Sequence, residues 1–155
     1  MTAARCRVFL DANVLFSAAW REDAGLLRLW RRADARLITS PYAVDEASRN
    51  LETAAQRERL FRLTASMELV PADASGDLPD LPKGVSLPEK DRPILVAAVR
   101  ARATHLLTGD ARHFGRLYGR NVGGVLILRP SEFLALPEAH PPPKRAGKPY
   151  VGRGS

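Results

Sequence analysis

Cysteine is almost missing from this 155-residue chain: Cys6 is the only one. Neither an intramolecular disulfide nor a thiolate metal centre can form, and a reducing compartment is the expected setting. Aromatic residues make up only 6% of the sequence, too few for an extended platform on which nucleic-acid bases stack in succession. No apolar run approaches the roughly 20 residues of a membrane helix. The stretch after Arg5 and Arg7 has the outline of a secretory leader, but Asp11 and Asn13 interrupt its middle. A soluble, cytoplasmic protein with no membrane partner is therefore expected. Internal repeats are absent as well.

Positive charge is plentiful. There are 24 basic residues against 17 acidic ones, a net +7. Lys144, Arg145, Lys148 and Arg153 against Glu138 put +3 in residues 137–155 and leave +4 for the body. A basic surface suits a polyanion held through its phosphates, although arginine-rich usage of this kind also follows from genome composition. The length fits one domain, expected over residues 1–136, followed by a basic Pro/Gly-rich tail over 137–155 that is expected to be disordered.

Short apolar runs fall at 6–10, 37–39, 67–70, 104–107 and 124–128, most of them separated by segments of helical period. Such alternation predicts an α/β domain, a three-layer α/β/α sandwich around a central, mostly parallel sheet of four to five strands. Helices are expected over 13–20 and 24–32, the second packing Leu26, Leu27, Leu29 and Trp30. Ser40 and Pro41 supply a cap and a first helical residue, and Val44, Ala47, Leu51 and Ala54 give that helix an apolar stripe. Leu60, Phe61, Leu63, Thr64 and Met67 form a further apolar face, suited to the core or to an interface. Residues 73–84 have turn composition and predict a loop. Pro93 belongs in the first turn of the apolar helix that contains Ile94–Val99.

Two strand-like runs end on an aspartate: Val8-Phe9-Leu10 meets Asp11, and Leu106-Leu107-Thr108-Gly109 meets Asp110. Ligands of open α/β sheets bind outside the carboxyl ends of the strands, so these carboxylates can converge there. Glu46, early in a helix, and Asp91, at a helix start, can join them. Carboxylates gathered without cations call for a hard divalent ion such as Mg²⁺ or Mn²⁺, which can activate water and offset charge on a phosphodiester. Each acid also has an ordinary explanation. Asp91 reads as an N-cap, Asp110 as a turn residue capping the next helix, and Glu46 as a solvated charge. Asp11 is hardest to explain that way, because it breaks an apolar pattern on both sides.

The series Val8-Phe9-Leu10-Asp11-Ala12-Asn13-Val14-Leu15, Ser40-Pro41 with Glu46, Lys90-Asp91-Arg92-Pro93-Ile94-Leu95-Val96-Ala97-Ala98, and Leu106-Leu107-Thr108-Gly109-Asp110 resembles the PIN domain in order and content, over roughly residues 6–130. The resemblance implies a metal-dependent ribonuclease fold, often the toxin of a bacterial toxin-antitoxin pair (VapC-like). Its substrate would be RNA, and its partners an antitoxin and a second copy of the chain. It also implies that Asp11, Glu46, Asp91 and Asp110 are the catalytic, metal-binding acids, with Asn13 and Thr108 orienting carboxylates or water. Family members often carry a further acidic or amide residue after the last aspartate. Here the stretch reads Ala111-Arg112-His113-Phe114, which leaves a second metal position without its expected ligand, and His113 is read as a partly buried helix residue. Arg112, Arg116 and Arg120 recur every four residues and are expected on one helix face, placed to contact RNA. An aspartyl phosphatase would need a second aspartate where Asn13 stands. A receiver domain would need paired acids after the first strand. A non-catalytic RNA- or protein-binding module on the same fold is the remaining alternative.

Overall fold

Alternating short apolar strands and amphipathic helices leave a chain little choice but to bury the strands between helical layers. The computed structural model describes residues 6–71 and 86–138. The loop expected over 73–84, and all but the first two residues of the tail expected over 137–155, lie outside them.

The chain runs through β1 (Cys6–Leu10), α1 (Ala12–Ala19), a 3-10 helix (Gly25–Arg31), β2 (Ala35–Thr39), α2 (Pro41–Asn50), α3 (Ala54–Ala65) and β3 (Glu68–Leu69). After a short 3-10 turn (Glu89–Asp91) come α4 (Arg92–Arg100), β4 (His105–Leu107), α5 (Ala111–Phe114), a second 3-10 turn (Gly115–Leu117), β5 (Asn121–Val122), β6 (Val125–Leu128) and α6 (Pro130–Ala135). The strands form one sheet in the order β3-β2-β1-β4-β6-β5, parallel except for β5 against β6. This is the expected α/β architecture with six strands instead of four or five. The extra one, β5, has two residues, too few to leave a periodic signal.

β1 lies at the centre, with Val8, Phe9 and Leu10 fully buried and paired to His105, Leu106 and Leu107 of β4. The order of the strands reverses between these two, so the carboxyl ends of β1 and β4 open onto the switch point where α/β sheets place their ligands. The Asp11 amide donates to the Leu107 carbonyl (3.1 Å) and fixes the two strand ends side by side.

The helices begin as their sequences dictate. Ser40 Oγ accepts from the Ala43 amide (3.2 Å), and Pro41 follows it. Pro93 occupies the first turn of α4. Three expectations are corrected. Residues 25–31 wind as a 3-10 helix with no side-chain cap, and among its apolar residues Leu29 alone is fully buried. The stripe from Val44 does not reach Ala54: α2 stops at Asn50, Leu51 is extended and buried, and Ala54 is exposed at the start of α3. A reciprocal cap between Thr53 and Gln56 (3.1 and 3.0 Å) starts that new helix. Finally, α3 splits the apolar face expected of it. Leu60 and Met67 enter the core, whereas Phe61 is 73% exposed. Among the described residues no helix is long and apolar enough to cross a membrane.

Candidate metal centre

Asp11 is the residue on which the site is built. It caps α1, so its carboxylate is turned back over the helix start, with Oδ1 accepting from the Ala12 amide (2.6 Å). Thr108 Oγ1 (2.8 Å) and Asn13 Nδ2 (3.2 Å) both donate to Oδ2. Asn13 also accepts from the Gly109 amide (2.8 Å), and Thr108 Oγ1 accepts from the Asp110 amide (3.1 Å). Asn13 and Thr108 thus tie the loop after β4 to the end of β1. Tyr118 adds a brace from outside, its hydroxyl donating to the Thr108 carbonyl (2.7 Å) while the Arg129 guanidinium covers its ring.

Asp11, Glu46, Asp91 and Asp110 all line one cleft of about 610 Å³, together with Asn13, Phe16, Ser17, Asn50 and Lys90. Burial pushes the Asp11 carboxyl up from 3.8 to about 6, against the pull of its hydrogen bonds, and the neighbouring Asp91 and Glu46 charges push the same way. Glu46 reaches the cleft because it stands off the buried stripe of α2. Arg49 does not neutralise it and pairs instead with Asp45 (3.6 Å). Lys90 is the one cation lining the cleft among the described residues; its Nζ stays 4.0 Å from Asp91 Oδ1 on a 60% exposed side chain, a weak and screened pair.

Asp91 occupies the cap position of α4 yet makes no capping hydrogen bond, so the ordinary explanation fails for it. Tyr42 holds the turn that carries it, donating from its hydroxyl to the Lys90 carbonyl (2.8 Å). For Asp110 the ordinary explanation holds in part: Oδ1 caps α5 through the His113 amide (3.2 Å). Its Oδ2 remains directed at the His113 ring, 2.9 Å from Nδ1. That same Nδ1 lies 2.7 Å from Asp91 Oδ2. Neither approach has the alignment of a hydrogen bond, and Asp91 Oδ2 and His113 Nδ1 are both buried without a hydrogen-bond partner.

His113 is indeed partly buried, with its side chain 23% exposed, but its ring sits between two of the acids. The signal was available in the sequence. If Asp110 caps a helix, His113 is the third helical residue, the position whose side chain reaches back to the cap. The single helix face expected of the arginines is not formed. Helix α5 ends at Phe114, a 3-10 turn follows, and Arg120 lies beyond Tyr118, so Arg112, Arg116 and Arg120 share no helix face. All three are exposed.

A divalent ion fits this donor set. The cleft gathers hard carboxylate oxygens, leaves a buried one unsatisfied at Asp91, and offers little positive charge of its own. Asp91, Asp110 and His113 bring one donor atom each within 4.8 Å of one another. The PIN-domain family profile matches residues 7–112, more than half of the chain. The chain belongs to the PIN-domain family. No curated protein matches it. Thirteen chains of solved structures do. One of them comes from the crystal structure of VapBC2 from Rickettsia felis bound to a DNA fragment from their promoter. That chain is 16% identical, with a TM-score of 0.57 over 79% of this PIN domain chain and 98% of the other. At such identity the likeness establishes the fold alone.

Proposed function

We propose that this PIN domain is an endoribonuclease dependent on Mg²⁺ or Mn²⁺, and that it is the toxin of a toxin-antitoxin pair. The carrying observation is the cleft itself: four carboxylates from four separate segments face one cavity whose lining supplies a single, exposed lysine. A fold gains no stability from such an arrangement. Asp11, Glu46, Asp91 and Asp110 would hold the ion, which when bound polarises the attacking water and offsets charge on the phosphodiester. Asn13 and Thr108 keep the Asp11 carboxylate in one orientation by filling two of its lone-pair sites. The exposed Arg112, adjacent to Asp110, and Arg116 would meet the RNA backbone, with Arg120 farther along the strand.

The Rickettsia felis relative is part of a VapBC2 assembly, which supports a protein antitoxin as this chain's partner. Phe61, exposed on α3, is apolar surface for that partner or for a second copy of the chain. The setting would be the cytoplasm. A binding module on the same fold is the competing reading, and retention of all four acids in one cleft disfavours it. Cleavage of a labelled RNA pool decides, with EDTA, Mg²⁺ or Mn²⁺ and Asp91→Asn in parallel. Ion-dependent cutting that disappears in the variant supports the nuclease. Cutting that persists in the variant removes Asp91 from the site.

A further inference from the structure

Resting on the reading of the cleft as an ion site, we infer that His113 is itself a metal ligand, joining Asp91 and Asp110 through Nδ1, and that this nitrogen tilts the site towards Mn²⁺ over Mg²⁺. The argument starts from donor spacing. Around a six-coordinate ion with ligands at about 2.0–2.2 Å, adjacent donors lie about 2.8–3.1 Å apart. His113 Nδ1 lies 2.7 Å from Asp91 Oδ2 and 2.9 Å from Asp110 Oδ2, close to that edge length on both sides.

An ion pair within the protein explains these distances less well. One ring N–H can point at only one oxygen, and here it is aligned with neither. His113 Nδ1 and Asp91 Oδ2 are both buried and hydrogen-bonded to nothing. Asp91 is itself 7% exposed, so an almost fully buried carboxylate directs an unsatisfied oxygen at the point where the imidazole nitrogen arrives. Three donors converging without hydrogen bonds between them are arranged for a cation. The short α5 makes this possible: Asp110 at its cap and His113 one turn later meet over the helix start, while Asp91, at the cap position of α4, brings its carboxylate to the same ring nitrogen.

Ligand type then sets the preference. Mg²⁺ favours oxygen donors and keeps its waters, whereas imidazole suits first-row transition ions, and Mn²⁺ accepts both imidazole and carboxylate. The histidine therefore changes which ion is held by adding a nitrogen donor to the two carboxylates.

Mn²⁺ binding to the purified full chain, without RNA, tests this by electron paramagnetic resonance, with Mg²⁺ as competitor. Nitrogen coupling to bound Mn²⁺ is expected in the unaltered protein and should vanish in His113→Ala. That variant should lose about tenfold or more in Mn²⁺ affinity and much less in Mg²⁺ affinity. His113→Asp, which supplies oxygen in place of nitrogen, should bind Mn²⁺ without nitrogen coupling and show a smaller Mn²⁺ to Mg²⁺ preference. Absence of nitrogen coupling in the unaltered protein, or its persistence in His113→Ala, overturns the inference. Asp91→Asn separates the two levels. If Mn²⁺ still binds with unaltered affinity when Asp91→Asn is combined with Asp11→Asn, the cleft is not the ion site and the nuclease reading falls with it. If binding is lost there while His113→Ala binds like the unaltered protein, only the histidine assignment is wrong.

Discussion

At the amino-terminal end of the sheet, Glu68 receives both Arg7 (3.1 and 3.2 Å) and Arg36 (3.2 Å), and hydrogen bonding from Arg7 holds its carboxyl below the usual range. Nearby, Arg32 grips Asp34 through two 2.9 Å contacts with both side chains almost fully buried, and it also donates to the carbonyls of Phe133 and Leu136. At the carboxyl end of the same strands, four carboxylates share one exposed lysine. The first end spends its charges on holding the chain together. The second leaves them uncompensated, at a cost to the metal-free fold, and local rule-breaking of that kind marks the end that does chemistry.

The contrast is sharpest in what single substitutions should do. Asp11→Asn should lower cleavage by about 10³-fold or more, because several kcal/mol of transition-state stabilisation depend on the ion it helps to hold. Steady-state rates on a cleaved RNA, with circular dichroism to verify the fold, measure this. Asp34→Asn at the other end should instead destabilise the protein by on the order of 3 kcal/mol in urea titration, since it leaves the buried Arg32 without its counter-charge. Mn²⁺ affinity of that variant should be unchanged.

The pH response of the metal-free protein should also divide the two ends. Asp11 keeps its proton in the folded state up to about pH 6 but releases it near 3.8 when unfolded. Its contribution to stability is therefore complete below about pH 4 and is lost as the pH rises through 6. At 1.36 kcal/mol per unit that loss is about 3 kcal/mol. Glu68 acts with the opposite sign, losing its contribution as the pH falls. The difference in urea midpoints between unaltered protein and Asp11→Asn, in EDTA from pH 4 to 7, isolates the first effect: the variant should gain relative stability as the pH rises. Smallest of all, Tyr118→Phe removes one hydrogen bond to the Thr108 carbonyl and should cost about 1 kcal/mol. Its measured thermal midpoint should fall slightly with the cleft's ion affinity retained.

Much of the fold was legible because its signals are local. Strands ending on Asp11 and Asp110, the Ser40-Pro41 start and the apolar α4 each follow from a few adjacent residues. The misreadings come from places where a neighbour decides. Leu51 and Ala54 look like one stripe until Thr53 and Gln56 cap a new helix between them. Residues 25–31 have helical period, but seven residues without a cap settle into the tighter 3-10 winding. The arginines at 112, 116 and 120 have helical spacing without a helix long enough to carry it. His113 reads from sequence as an ordinary helix residue, because its contact with Asp91 depends on how α4 packs, although its spacing from Asp110 points to the cap. That the four acids share a cleft could only be suspected from sequence, since it depends on the register of β1 against β4 and on how α2 and α4 pack.

One consequence follows from the place of β1 in the sheet. Asp11 continues a strand whose last three residues are fully buried, and its amide is bonded to the end of β4, so the floor of the cleft is built on the buried centre of the sheet. Amide exchange there should require opening of the whole domain, with no local route. Heat inactivation and global unfolding should then be a single event, and a molecule that is folded at all carries that half of its site already assembled.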